Sequence, residues 1–307
     1  RTDLDLDTLI DQFDRHPDKI AVCRNASEAK QIIESDRIAA LLAIENGDAI
    51  ADDLNNLAHF HARGVRYITL THFASHDWCI SSADNSPAFN GLTDFGRDVV
   101  RTMNELGIIV DVSHISVRAF EEVLKVTSRP VIASHSCAHS ICPHDRNLTD
   151  DEIRALADNG GMVGINFCDN FLSEASWRRT EEYFKNDLDR INELGELITS
   201  LDDEAEVQAH YRRLRPFMTG WKEALKGIQA SVYTVVDHIE HIIRLVGTDH
   251  VGLGSDYDGI FFGPVALEDC SGLPSITREL LTRGHDESTV RKVLGENFMR
   301  VFASACD

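Results

Sequence analysis

The sequence predicts an α/β fold of the TIM type, a (β/α)8 barrel in which parallel strands alternate with helices. Short apolar segments alternate with stretches whose apolar residues recur at three- and four-residue spacing, and glycine repeatedly separates the two. Such apolar strands are typical of sheets covered by helices on both faces. Five of them end in a lone polar residue: Glu45, His72, His114, His135 and Asp256. Polar residues at one end of successive parallel strands form the active sites of barrel enzymes.

The predicted elements follow one another in a regular order. The predicted strands are 38–45, 67–72, 108–114, 130–135, 162–167 and 251–256. The predicted helices between them are 52–63, 95–106, 117–126, 150–159 and 232–246. Thr149 and Glu152 have the spacing of a capping box, which predicts the start of one helix. Short links between alternating strands and helices predict a parallel sheet with right-handed crossovers.

A complete barrel of this type has eight strands, and the sequence shows six. Residues 4–13 predict a helix, and residues 19–23 form a brief extended segment without the character of a barrel strand. We therefore expect a (β/α)8 barrel whose first two βα units are absent from this chain. An open barrel is the alternative.

Residues 169–230 interrupt the alternation with charged, helical sequence. Its apolar residues lie at near-helical spacing: Trp177, Tyr183, Phe184, Leu188, Ile191, Leu194 and Leu197. Because this segment precedes the last strand, we expect a helical insertion over the mouth or side of the barrel, within a single catalytic domain of residues 1–307. A solvated helical hairpin without a role in chemistry is the alternative.

Composition limits the class of protein. With 307 residues, 43% of them hydrophobic, the chain can form one sizeable core. No segment approaches the roughly 18 consecutive apolar residues of a transmembrane helix, which predicts a soluble chain. A formal charge of −21 argues against a nucleic-acid partner, because such proteins need a basic face. Seven dispersed cysteines favour free thiols.

The polar strand ends form a plausible metal site. His114 and His135 follow neighbouring strands, and two imidazoles with a carboxylate are a common ligand set for a catalytic metal ion. Glu45 ends another apolar strand, and its two oxygens can bridge two ions. Asp256 can transfer a proton beside them, with Asp258 as a competing candidate. These residues predict a metal-dependent hydrolase.

Seven short motifs occur in order along the chain: 70–72 with Trp78, Gly91–Gly96, Val110–Ser116, Ser134–Ser136, Arg146-Asn147, Asn159–Phe167 and Gly254–Gly259. This series resembles that of the membrane (renal) dipeptidase family, two-zinc peptidases of the amidohydrolase superfamily. The match runs from about residue 36 to residue 302 and leaves out the insertion. An ordered series of this length is far more specific than any one motif.

The resemblance implies hydrolysis of dipeptides by a hydroxide that bridges two zinc ions, in a homodimer. His72 would contact the substrate and stabilise the oxyanion, Arg146 would bind the free carboxylate, and Asp256 would shuttle the proton. The implied metal ligands are Glu45, which bridges both ions, His114 and His135.

The chain also departs from the family pattern. Members carry a His-x-Asp pair on the first barrel strand that binds the first zinc ion. Here the sequence His16-Pro17-Asp18 falls where a helix connects to a strand, and we interpret it as a coincidence. The disulfide cysteines of the animal enzymes are not evident, which favours a bacterial-type member of the cytoplasm or periplasm. Two alternatives stay open: an amidohydrolase acting on a non-peptide amide or lactone, and an inactive homologue that lacks the first metal site.

Overall fold

Six parallel strands form the central sheet of the structure, a computed structural model that describes residues 1–185 and 204–307. The described residues contain eight strands in two sheets: β1 (Ile20–Val22), β2 (Ile38–Ala40), β3 (Leu42–Glu45), β4 (Val65–Thr69), β5 (Ile109–Asp111), β6 (Ile132–Ser136), β7 (Met162–Ile165) and β8 (Val251–Leu253). Strands β3 to β8 lie side by side in chain order, and each neighbouring pair is parallel. The predicted α/β class with a parallel sheet is confirmed.

The described part of the chain does not form a closed barrel. Strands β3 and β8 lie at the two edges of the sheet and are not hydrogen-bonded to each other. A cavity of about 510 Å³ is lined mainly by residues of β3, β4, β6, β7 and β8, by the chain that follows β8, and by Phe298. Glu45, His135 and Asp256 are among its lining residues. The absence of two βα units stays a prediction.

Helices cover the sheet, and each of the five helices predicted between strands is present, with ends within three residues of the predicted ones. They are α1 (Thr2–Asp14), α2 (Ala26–Glu34), α3 (Asn55–Ala62), α4 (Asp94–Leu106), α5 (Val117–Val126), α6 (Asp150–Asp158), α7 (Asp169–Leu172), α8 (Glu174–Phe184), α9 (Glu204–Ala224), α10 (Val232–Val246), α11 (Pro274–Thr282), α12 (Glu287–Arg291) and α13 (Asn297–Cys306). The capping box at Thr149 and Glu152 is present at the start of α6. Within the described residues, no helix combines the length and apolar character needed to cross a bilayer.

The first predicted strand is divided in two. Residues 38–45 were predicted as one strand, but β2 pairs with β1 in a separate two-stranded sheet while β3 pairs with β4. The short extended segment at residues 19–23 contains β1, which therefore belongs to this small sheet rather than to the central one. None of the three apolar residues of β1 is fully buried, which agrees with its position in this small sheet.

Several predicted strands end earlier than expected. His72, His114 and Asp256 each lie three residues beyond the strand that precedes them. His114 has a φ of 71° and Asp256 a φ of 59°, so both adopt the left-handed conformation, which is incompatible with regular strand pairing. Non-glycine residues in this region are uncommon and cluster at functional sites.

Close packing at the carboxyl ends of β6, β7 and β8 requires glycine. A Cβ atom on Gly164 would lie 2.2 Å from the carbonyl oxygen of Ser134, and one on Gly254 would lie 2.0 Å from the same oxygen. Both distances are far inside van der Waals contact with backbone that cannot rotate away. The two glycines therefore allow three strands to meet directly beneath the polar residues of the site.

The insertion consists of helices α7, α8 and α9 in the described residues. The indole nitrogen of Trp221 on α9 donates a hydrogen bond of 3.0 Å to the hydroxyl of Thr180 on α8. At the base of the insertion, the backbone N–H of Ala230 donates to Oδ1 of Asp169 over 3.1 Å, which joins its two ends. The remaining predicted apolar positions lie outside the described residues: Leu188, Ile191, Leu194 and Leu197.

Candidate metal centre and active site

Three side chains from three strands converge on one point. Oε1 of Glu45, at the end of β3, lies 3.2 Å from Nε2 of His114 and 3.0 Å from Nε2 of His135. The two Nε2 atoms are 2.9 Å apart. Both histidines are buried, whereas the Glu45 side chain is 43% exposed. The sequence predicted these three residues, and the structure brings them together.

The spacing of these donor atoms suits a metal ion. With metal–nitrogen distances of about 2.0–2.1 Å, two ligands of a tetrahedral zinc ion lie about 3.3–3.4 Å apart. The contacts among Glu45, His114 and His135 are slightly shorter than this edge, so small rotations outward would admit an ion. One carboxylate and two imidazoles are also the donor types that zinc binds in catalytic sites.

His72 lies beside the same cluster. Its Nε2 is 3.9 Å from Oε1 of Glu45, and its ring centroid is 4.6 Å from that of His114. Donor atoms of Glu45, His72 and His114 all lie within 4.8 Å of one another, so His72 is also within range of a shared ion. Burial, more than the opposing charge of Glu45, lowers the pKa of His72 and favours the neutral imidazole.

The electrostatics of the cluster favour a neutral His114 and an ionised Glu45. Burial alone would raise the pKa of Glu45, but its contacts with His114 and His135 outweigh burial and hold the pKa well below its usual range. Burial lowers the pKa of His114 to about 3, despite its contact with Glu45. Ionised carboxylate and neutral imidazole are the forms that bind a metal ion.

Asp256 lies at the edge of this cluster and is held by an amide. Nδ2 of Asn166 donates a hydrogen bond of 3.0 Å to Oδ2 of Asp256. Burial raises the pKa of Asp256, although His135 and Asn166 oppose the change. Asp258, the competing candidate, is exposed. The structure therefore favours Asp256 over Asp258 as a group that faces the site.

Arg146 is a buried cation beside the cluster. Its side chain donates 3.0 Å to the carbonyl oxygen of His135 and 3.5 Å to Oγ of Ser136, and its guanidinium lies 5.3 Å from the ring centroid of Phe171. Its Nε has no partner among the described residues, and none of their carboxylates lies within ion-pair distance. Burial lowers the pKa of Arg146, despite the nearby charges of Asp111, Asp256 and Glu45. A buried cation without a close anion is costly and favours an anionic ligand.

The insertion contributes aromatic side chains next to Arg146. The ring of His144 lies 4.7 Å from that of Phe171 on α7 and 4.9 Å from that of Trp177 on α8. Phe171 also lies beneath the guanidinium of Arg146. Side chains of the insertion therefore pack beside Arg146.

Two residues near the site, Asn166 and Asp111, were not among those predicted from the sequence. Asn166 holds Asp256, and Asp111 is a fully buried carboxylate at the end of β5. A signal for Asp111 was present in the sequence, because a lone acidic residue between Val110 and Val112 interrupts an apolar strand.

The sequence His16-Pro17-Asp18 lies exposed between α1 and β1, as its interpretation as a coincidence requires.

A parallel sheet covered by helices, with a carboxylate and two histidines at the carboxyl ends of its strands, is typical of metal-dependent hydrolases of the amidohydrolase superfamily. Comparison with known sequences is more specific. A family model described as membrane dipeptidase (peptidase family M19) matches residues 3–307. The chain belongs to this family, which confirms the resemblance found in the sequence.

Individual relatives agree with this assignment. The chain is 31% identical over 302 residues to dipeptidase tcpJ of Claviceps purpurea (strain 20.1), which covers 98% of this chain and 59% of that protein. It thus spans well under two thirds of the length of this curated relative. Its fold is similar to that of the probable dipeptidase PvdM from Pseudomonas aeruginosa, with a TM-score of 0.77, 26% identity, and coverage of 97% of this chain and 77% of that one.

A further solved structure of similar fold contains a bound dipeptide mimic. It is a metallo peptidase from Rhodobacter sphaeroides liganded with a phosphinate mimic of the dipeptide L-Ala-D-Ala. Its TM-score is 0.72 at 26% identity, and the match covers 94% of this chain and 69% of that one.

Proposed function

We propose that this protein hydrolyses dipeptides at a zinc centre and releases free amino acids. The observation that carries the proposal is the convergence of Glu45, His114 and His135 within 3.2 Å at the carboxyl ends of three parallel strands. Membership of the membrane dipeptidase family supports the reaction. The phosphinate mimic bound to the Rhodobacter sphaeroides relative supports the substrate class.

The metal centre uses the three converging side chains. Glu45, His114 and His135 would hold the metal through the carboxylate of Glu45 and the Nε2 atoms of the two histidines, and the family resemblance implies that Glu45 would be shared between two ions. Zinc suits the nitrogen and oxygen donors, and the second ion rests on the family resemblance alone. When bound, the ions polarise the scissile carbonyl and lower the pKa of a water molecule.

Two residues act on the reacting atoms. Asp256 takes a proton from the attacking water and delivers it to the leaving amine, and its raised pKa brings it closer to the working pH of a general base. Asn166 holds its carboxylate in place. His72 remains neutral and donates a hydrogen bond to the oxyanion, because its low pKa disfavours the charged ring.

Arg146 binds the carboxylate at the end of the dipeptide. Its planar guanidinium presents paired donors that match a carboxylate, and its unpartnered Nε leaves one of them available. Because the same side chain donates to the carbonyl of His135, the anchored carboxylate lies next to the metal centre. With the free carboxylate anchored there, only a short substrate can place its scissile bond at the metal centre. The arrangement therefore favours dipeptides over longer peptides.

The helical insertion, residues 169–230, forms one wall of this pocket within a single catalytic domain of residues 1–307. The contacts of His144 with Phe171 and Trp177 place insertion side chains beside Arg146. The homodimer implied by the resemblance stays a prediction.

Metal content and turnover test the centre directly. We expect purified protein to bind two equivalents of zinc and to hydrolyse dipeptides, with both properties reversed by a chelator. His135→Asn should lose zinc and activity together. His59→Asn is the matched control, because His59 is exposed and pairs with Asp3 on the surface. A chain that turns over dipeptides equally well after complete removal of metal would refute the proposal.

The substrate class is tested with a dipeptide and its carboxamide. The wild-type chain should strongly prefer the free carboxylate, and Arg146→Ala should raise KM for the dipeptide while leaving the carboxamide almost unaffected. Loss of a charge-assisted pair in a buried site corresponds to about 2–5 kcal/mol. Equal turnover of both substrates by the wild-type chain, unchanged by Arg146→Ala, would indicate an amidohydrolase for another amide or a lactone.

A further inference from the structure

Asp111 is a fully buried carboxylate beneath the metal centre, and it connects three strands. Its Oδ1 accepts hydrogen bonds from the backbone N–H groups of Ser113 at 3.0 Å and Ser134 at 2.9 Å. Its Oδ2 accepts from the hydroxyls of Thr69 at 2.6 Å and Ser134 at 2.5 Å. A buried carboxylate is tolerated when donors satisfy it in this way. The four bonds fix the carboxyl ends of β4, β5 and β6 relative to one another.

The Ser134 hydroxyl links this carboxylate to a predicted metal ligand. Its Oγ lies 2.7 Å from Nδ1 of His135. The Ser134 hydroxyl donates its single proton to Oδ2 of Asp111, which already accepts from the Thr69 hydroxyl. The hydroxyl must then accept from His135, which places a proton on Nδ1. The Ser113 hydroxyl, 3.5 Å from that of Ser134, is too distant to compete with the shorter bond.

We propose that Asp111 is a positioning residue that acts through Ser134 to keep the proton of His135 on Nδ1. This leaves the Nε2 lone pair of His135 for a metal ion at the point where it meets Glu45. His114 differs, because its Nδ1 is buried without a partner in the described chain. The hydrogen-bond relay from Asp111 through Ser134 therefore orients the imidazole of His135 but not that of His114. The proposal rests on the metal centre described above, but it concerns the chain's own hydrogen bonds.

Hydrogen-bonded groups behind a metal-binding histidine typically contribute 10- to 100-fold to metal affinity. Ser134→Ala removes the relay and leaves the other three bonds to Asp111 in place. We expect its zinc affinity, measured by competition with a chelating dye, to fall 10- to 100-fold. Ser134→Thr keeps the hydroxyl and should restore the affinity. Thr69→Val is the matched control, because it removes one bond to the same carboxylate oxygen without touching His135.

The position of the proton is read from nitrogen NMR of the ring-labelled histidines at alkaline pH, where a free imidazole is neutral. The His135 resonances are assigned by their loss in His135→Asn. Zinc on Nε2 would require the proton on Nδ1 in every variant, so the comparison is made on the metal-free proteins. There Glu45, 3.0 Å from Nε2, competes for the proton, and the wild-type chain and Thr69→Val should still hold most of it on Nδ1. In metal-free Ser134→Ala, the proton should shift towards Nε2. If Asp111→Asn folds, its His135 resonances provide a second test of the relay. If it does not fold, Ser134→Ala provides the test alone.

The outcomes separate this inference from the proposed function. Unchanged zinc affinity and an unchanged Nδ1 proton in Ser134→Ala would overturn the relay, even if the wild-type chain proves to be a zinc dipeptidase. A wild-type chain that binds no zinc would overturn the proposed function, while the NMR of the metal-free protein still decides where the proton lies.

Discussion

Asp169 should make the folded protein less stable as the pH rises towards neutrality. The side chain is 4% exposed, and while Oδ1 accepts from Ala230, Oδ2 has no partner among the described residues. Burial raises the pKa of Asp169 to about 7 from the ordinary 3.8, although the bond from Ala230 opposes this. Between these two values the folded chain holds a proton that the unfolded chain has released, so stability falls as pH increases.

The magnitude follows from the two pKa values. The difference between about 7 and 3.8 corresponds to a free energy of roughly 4 kcal/mol, at about 1.4 kcal/mol for each pKa unit. Most of this loss falls between pH 5 and pH 8, where it amounts to about 3 kcal/mol. It is large beside the 5–15 kcal/mol that typically separates folded from unfolded domains.

Asp169→Asn removes the titration and keeps an oxygen that can accept from Ala230. Urea unfolding of both proteins across that pH range should show the variant gaining about 3 kcal/mol over the wild type as pH rises. Asp18→Asn, which removes an exposed carboxylate in the turn after α1, is the control and should show no such gain. A stability difference between Asp169→Asn and wild type that does not change with pH would refute the reasoning.

Three further predictions follow from particular contacts. Gly254→Ala places a Cβ atom 2.0 Å from a backbone oxygen and should cost about 3 kcal/mol or more in urea unfolding, and an unchanged unfolding midpoint would contradict the clash. Asp256→Asn should abolish turnover in steady-state assays yet retain zinc, and loss of both would contradict its role in proton transfer. Trp221→Phe removes the hydrogen bond between α8 and α9 and should destabilise the fold by about 1 kcal/mol in thermal unfolding, with activity unchanged as the check on its structural role.

Local patterns in the sequence were sufficient to predict the elements that position the site. The apolar strands and amphipathic helices follow from periodicity, and α5 and α10 begin and end at the predicted residues. The strand ends were harder to place. His114 and Asp256 lie beyond their strands in left-handed conformations, and these depend on contacts with neighbouring strands rather than on local propensity.

The division of residues 38–45 shows the same limit. The segment is one apolar stretch in sequence, yet its two halves pair with different strands, β1 and β4. Pairing partners are distant along the chain, and a period of two residues gives no information about which strand is the neighbour.

The sequence by itself determined that a carboxylate and two histidines stand at the ends of parallel strands, because residue type and strand direction are local properties. Only the tertiary structure decided that Glu45, His114 and His135 meet within 3.2 Å, that Asn166 holds Asp256, and that Asp111 reaches His135 through Ser134. Apart from the bond between the adjacent residues Ser134 and His135, those contacts join residues that are 21 to 90 positions apart. Their geometry is fixed by the stagger and close packing of adjacent strands, which no single segment encodes.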